Sequence, residues 1–173
     1  NYAPSIVIRR KSMSLLRGLI SENVDRHTTD LVTLTATASI TTADHAGRTL
    51  LMGEVGGDAA ATFTLPAATG TGSVFKFVVS VVNTSNYKIQ VADATDTIDG
   101  QIMITDADGT AATSFVTAAT SDTITLNGTT TGGGAIGDYV EVIDIASNQY
   151  AVSGMVTCAA GSNIATMFSA AVS

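Results

Sequence analysis

A chain of 173 residues with 45% apolar side chains is long enough to close a real core, which excludes disorder for the body. Only 13% of residues are charged, the net charge is −7 and there is one cysteine; an internal disulfide and a basic nucleic-acid-binding body are thereby excluded. The charge is unevenly placed, with five basic side chains against three acids in residues 1–30 and three against twelve in residues 31–173.

This split predicts a short basic N-terminal arm, residues 1–30, joined to a single β domain, residues 31–173. Pro4 disfavours helix just before it, and Ser5-Ile6-Val7-Ile8 reads as a short strand that needs a partner's edge. The cations Arg9, Arg10 and Lys11 follow. Residues 12–20 then put Met13, Leu16 and Ile20, flanked by Leu15 and Leu19, on one helical stripe with Ser12 as its N-cap. Isolated helices shorter than about 12 residues are marginal in water, so this stretch is expected to order only against a partner or the body. It is also too short, and interrupted by Arg17, for a secretory core, and no run reaches the roughly 20 apolar residues of a membrane span. The arm lacks interleaved aromatics, so neither nucleic acid nor membrane is an expected partner.

From residue 31 the period changes to two. Hydroxyls alternate with Leu34, Ala36, Ala38 and Ile40, predicting one half-buried strand over 33–40. Leu50-Leu51-Met52 and a Gly56-Gly57-Asp58 turn follow. Residues 61–65 alternate with Phe63 and Leu65 inward. Residues 74–82 are apolar on both faces, predicting a central strand covered twice. Further strands are expected over 87–91, 101–104 and 122–126, the last running into a tight Asn127-Gly128 turn. Gly132-Gly133-Gly134 reads as a flexible loop. Residues 139–145 and 149–156 read as a pair joined by Ala146-Ser147-Asn148, and 164–172 as a final strand. About ten short strands imply an all-β fold, a β-sandwich, jelly roll or distorted barrel.

Little in this pattern carries chemistry. His27 sits in the arm-to-body connection. Asp44 adjoins His45, and no G-x-S-x-G elbow supplies a nucleophile, so a turn with Asp44 on backbone N–H groups and Gly47 at positive φ explains the residues better. Asp106-Ala107-Asp108-Gly109 resembles a fragment of a calcium loop but lacks the third oxygen ligand before the Gly and the terminal Glu, so it reads as an acidic turn. Asp93, Asp96 and Asp99 are spaced to meet in a loop but lack further ligands. Gly53-Glu54-Val55-Gly56-Gly57 lacks the Lys-Ser/Thr of a phosphate loop. Cys158 reads as small apolar filler. No catalytic, cofactor-binding or metal residues are expected, and the absence of Trp weakens a sugar-binding reading.

One ordered set of motifs is more specific. Asp44-His45-Ala46-Gly47-Arg48-Thr49 is followed by Thr64-Leu65-Pro66-Ala67-Ala68, then Phe75-Lys76-Phe77-Val78-Val79 and Ile98-Asp99-Gly100. Gly137-Asp138-Tyr139-Val140 and Gln149-Tyr150-Ala151-Val152 close the series. Over about residues 41–154 this order resembles a small β-domain of tailed-phage surface proteins, and the chain is most similar to capsid decoration (cement) proteins of aquatic bacteriophages. In residue terms, Pro66 is expected to end an edge strand and Asp99-Gly100 to turn tightly between strands.

The resemblance implies a non-enzymatic virion protein on the outer capsid surface. It implies a homotrimer whose partner is the major capsid protein and whose role is to stabilise the shell. The arm would bind through Arg9, Arg10, Lys11 and Arg17 on capsid carboxylates and through Met13, Leu15, Leu16, Leu19 and Ile20 in shallow grooves. Exposed ion pairs contribute about 0–1 kcal/mol each and buried aliphatic side chains about 1.5–3 kcal/mol, so the apolar stripe would dominate affinity. The alternative is a tail fibre, spike or head-appendage component contacting the host.

Overall fold

The computed structural model describes residues 31–53, 60–161 and 163–173. Residues 31–173 form one compact unit. The arm with its expected strand and helix, His27, and the expected Gly56-Gly57-Asp58 turn lie outside the described residues.

In chain order the strands are β1 (Leu31–Leu34), β2 (Ala38–Ser39), β3 (Thr49–Met52), β4 (Thr62–Thr64), β5 (Val74–Val79), β6 (Tyr87–Gln90), β7 (Thr97–Asp106), β8 (Ala112–Val116), β9 (Thr123–Leu126), β10 (Tyr139–Ala146), β11 (Gln149–Cys158) and β12 (Phe168–Ser169). A four-residue helix, α1 (Thr42–His45), lies between β2 and β3. The larger sheet has the order β1-β3-β5-β10-β11-β7-β8, the smaller β12-β9-β6-β4-β2.

The fold is all-β, and its first six strands alternate between the sheets. β1, β3 and β5 stack in parallel in the larger sheet, and β2, β4 and β6 in parallel in the smaller. Parallel neighbours need a long crossover, commonly a helix; here each crossover is a strand of the opposite sheet. The chain thus winds in flattened coils before the antiparallel β10–β11 hairpin closes against β5. This winding differs from a jelly roll, in which the strands pair antiparallel.

The period-two pattern places one apolar row of each sheet inward. Val32, Leu50, Phe77, Val140, Gly154, Ile102 and Phe115 are successive register partners across the larger sheet. Ala38, Phe63, Ile89, Ile124 and Phe168 are successive partners across the smaller. The rows meet in one buried core, where the Phe63 and Phe77 rings stack at 5.9 Å between centroids. Such aromatic contacts add about 0.5–1.5 kcal/mol beyond their area burial.

Several sequence expectations need correction. The alternation over 33–40 spans two strands, β1 and β2, in different sheets, because the chain crosses the sandwich between them. β5 is covered on its inner face, with Phe75, Phe77 and Val79 buried, while Val74 and Val78 are half-buried and Val81 and Val82 are exposed. Asp99-Gly100 is no turn: both residues lie inside β7, where Gly100 lets Val152 of β11 come close. Pro66 follows an interior strand, since β4 lies between β6 and β2. The triple glycine is packed: Gly132 lies against Val156 and Gly133 against Asn83. Asn127-Gly128 opens a longer loop in which the Asn127 Oδ1 accepts from the N–H groups of Thr129, Thr130 and Thr131. Only β12 forms within 164–172, and β8 has no counterpart among the expected strands.

Candidate interaction surface

The outer face of the larger sheet follows from the same alternation. Thr33, Leu51, Val78, Tyr139, Met155, Met103 and Ser114 are successive register partners, so one row crosses all seven strands. Met103 and Met155 stand side by side, 47% and 52% exposed. They line a hollow of about 260 Å³ together with Thr105, Tyr139 and Thr157. The Lys76 Nζ lies 5.1 Å from the centre of the Tyr139 ring, a cation–π contact. In the adjoining row Glu141 faces Lys76 across β10 and β5. Methionine side chains are flexible and polarizable, so this row is suited to van der Waals contact with an apolar protein surface. The alternation Gln101-Ile102-Met103-Ile104 already puts Met103 on the face opposite the isoleucines. Pairing it with a residue fifty-two positions later requires the register.

The buried carboxylates of the body serve another purpose. Asp144 accepts from the N–H groups of Thr69, Gly70 and Thr71 and from the Thr71 hydroxyl, holding the loop over 66–73 that crosses from β4 to β5. Asp96 accepts from the Ala68 N–H in the same loop. Asp138 takes the N–H groups of Gly133, Ala135 and Thr157 on one oxygen, Oδ2. Asp122 takes those of Ala171 and Val172, and Asp106 those of Asp108 and Gly161. These five carboxylates are buried, and most of their partners are backbone N–H groups of loops, some adjoining and some far away in the chain. Much of the acidity of the body is therefore internal loop anchoring.

The electrostatics follow from burial against these bonds. Burial pushes Asp144 up, but the bonds from Thr71, Gly70 and Thr69 together outweigh it and hold the carboxyl below the ordinary range. For Asp138 burial prevails over the bonds from Thr157, Ala135 and Gly133, and the carboxyl is raised. Asp96 is raised mainly by burial as well. Burial, with Asp144 and Asp96 nearby, raises the Tyr150 hydroxyl, which stays protonated and donates to the Pro66 carbonyl at 2.7 Å. Tyr150→Phe is therefore expected to cost about 1 kcal/mol, seen as a lower urea midpoint at unchanged slope.

Asp93, Asp96 and Asp99 do not converge: Asp93 caps Thr95, Asp96 turns to Ala68 and Asp99 accepts from Gln149. Among the described residues no group of three His, Cys, Asp or Glu side chains is placed to hold a metal ion. Asp44 departs from the expected turn by accepting the Thr41 hydroxyl, while that hydroxyl receives the Asp44 N–H and caps α1. The His45 Nδ1 accepts from the Thr41 N–H at 3.0 Å. Cys158 is fully buried, and burial raises its thiol, consistent with filler. Among the described residues no helix is long and apolar enough to cross a membrane.

The expected contact residues Arg9, Arg10, Lys11, Met13, Leu15, Leu16, Arg17, Leu19 and Ile20 lie outside the described residues. No family model matches the chain, and no curated protein is similar to it.

Proposed function

We propose that this chain is a capsid decoration protein, a structural component bound to the outside of a bacteriophage head. The observation that carries the reading is the division of labour in the chain. A basic, apolar-striped arm precedes a body whose buried carboxylates anchor its own loops and whose outer sheet face presents an exposed pair of methionines, Met103 and Met155. Such a body suits a rigid platform, and the arm suits a tether with a short helix that orders on the major capsid protein. The motif order over residues 41–154 adds the phage context, and head symmetry makes a homotrimer the natural assembly.

The test is the copy number of the chain per purified particle, followed by deletion of residues 1–20. Full-length protein should be present in the hundreds, as expected of a symmetric surface lattice. The truncated chain should keep the thermal midpoint of its body and lose at least about tenfold in head affinity, or ~1.4 kcal/mol. Full occupancy by the truncated chain would refute the arm as the tether. A few copies per particle would assign the protein to a fibre or spike.

A further inference from the structure

We infer that β8 is a self-pairing edge, through which two copies of this chain join their larger sheets across a two-fold axis. Among the described residues β8 ends the larger sheet, and its only strand neighbour is β7. The bonds flanking it fix which backbone groups face outward. The Thr117 N–H donates to the Gly100 carbonyl, and the Ala111 carbonyl accepts from Asp106, so the odd-numbered residues face β7. In an antiparallel ladder the alternate residues point away from the partner. Ala112, Ser114 and Val116 therefore turn N–H and C=O toward the open edge. Among the described residues no other backbone group meets theirs.

Natural edge strands are protected by charge, proline, bulges or a covering element. Among the described residues none of these defences is present at β8. Its sequence Ala-Thr-Ser-Phe-Val carries no charge and no proline, its pairing with β7 is unbroken, and Val116 is 69% exposed.

The choice of a second copy rests on self-complementarity and charge. The outward groups are symmetric about Ser114. Antiparallel pairing in the register Ser114 to Ser114 also sets Ala112 opposite Val116 and Val116 opposite Ala112. Each such pair exchanges two N–H···O bonds, giving roughly six across the axis. A chain of net charge −7 repels its own copies over most of its surface. Residues 110–121 contain no charged side chain, so extending the register to Thr110 opposite Ala118 still brings no two carboxylates together. A strand pair this short buries less than the roughly 1,200 Å² of a stable interface, so the contact is weak and fills only at high protein concentration. This inference does not rest on the capsid reading, since it concerns only two copies of the chain.

The test uses the full-length chain carrying Ser114→Cys, with Val116→Cys as its control. Hydrogen-bonded antiparallel partners stand about 5.5 Å apart at Cα, within disulfide reach, whereas the two copies of position 116 would be roughly 14 Å apart. Under mild oxidation at millimolar protein, Ser114→Cys should form linked dimers at least about tenfold faster than Val116→Cys. Ser114→Pro keeps the β7 ladder, because its lost N–H points outward, and should lower the dimer fraction in sedimentation without shifting the thermal midpoint. Equal cross-linking rates for the two cysteine variants would overturn the pairing. If Ser114→Pro weakened particle binding while Ser114→Cys formed no linked dimer, the edge would serve a foreign strand and self-pairing would likewise be overturned.

Discussion

Gly128→Ala should leave the chain unable to fold, whereas Gly109→Ala should cost about 1 kcal/mol. Both glycines sit at φ +73°, so the left-handed backbone penalty is the same for each. The difference lies in what an added methyl meets. At Gly109 nothing lies within 4 Å, but at Gly128 the new Cβ would fall 1.7 Å from the Asn83 carbonyl oxygen and 2.8 Å from its carbon. Asn83 cannot retreat easily. Its N–H donates to the Gly133 carbonyl at 3.0 Å, and its Nδ2 donates to the Leu126 carbonyl at 2.6 Å. Moving it would break both bonds and pull β9 away from the loop over 127–138. Overpacking by one methyl costs about 1–3 kcal/mol even where neighbours can shift, and a domain holds only about 5–15 kcal/mol in all. Soluble yield and the far-ultraviolet dichroism of the two variants, measured side by side, decide the matter. A folded Gly128→Ala melting within a few degrees of Gly109→Ala would show that the Asn83 loop is free to move.

That glycine also shows where the sequence is legible and where it stops. Asn127-Gly128 is readable as a turn because the dipeptide favours positive φ, and the structure does place Gly128 there. What the pair is for depends on Asn83, some forty-five residues earlier, and no local pattern reveals that contact. That Phe75, Phe77 and Val79 share one face of β5 is readable because side-chain direction is a local property, but that only this face is covered is not. Sheet membership is not local. The single alternating run over 33–40 hides a crossing from one sheet to the other, since period two is kept on both sides of the bend at Thr35 to Thr37. The parallel coils are invisible for the same reason: the strands β1, β3 and β5 share register but not sequence. β8 escapes because Phe115 is the one side chain in it that is even half-buried, so no alternation of buried apolar residues marks it. For the site, the arm is legible as a charge and apolar pattern, and the methionine pair is not, because Met103 and Met155 meet only through the β7–β11 ladder.

Asp144→Asn should destabilise the body by about 3 kcal/mol or more, far more than Asp138→Asn at about 1 kcal/mol. Both carboxylates are buried and both take three backbone N–H groups, so a count of bonds does not separate them. Their distribution does. In Asp144 the Oδ1 receives Thr69 and Gly70 while the Oδ2 receives Thr71, so either orientation of an amide points its NH₂ at an N–H donor. In Asp138 all three donors converge on Oδ2, so an asparagine keeps an oxygen there. The Asp144 loop is also the crossover that joins the two sheets, and losing it frees Pro66 and Ala68 from Tyr150 and Asp96.

The pH dependence should separate the two variants again. Asp144 is held below its ordinary value, so its contribution is complete above the unfolded carboxyl pKa of about 3.9 and is lost as pH falls through the folded value. Asp138 and Asp96 are raised, so their ionised forms cost stability near neutrality, and that cost is relieved as pH falls toward the unfolded value. The wild type should therefore gain stability as mild acid protonates Asp138 and Asp96, then lose it below about pH 4 as Asp144 protonates. Asp138→Asn should flatten the first limb and leave the second. Asp144→Asn should remove much of the second from a lower starting stability. Urea midpoints from pH 7 down to pH 3 read both limbs. An acid limb identical in wild type and Asp144→Asn would mean that another carboxylate carries the acid sensitivity of the fold.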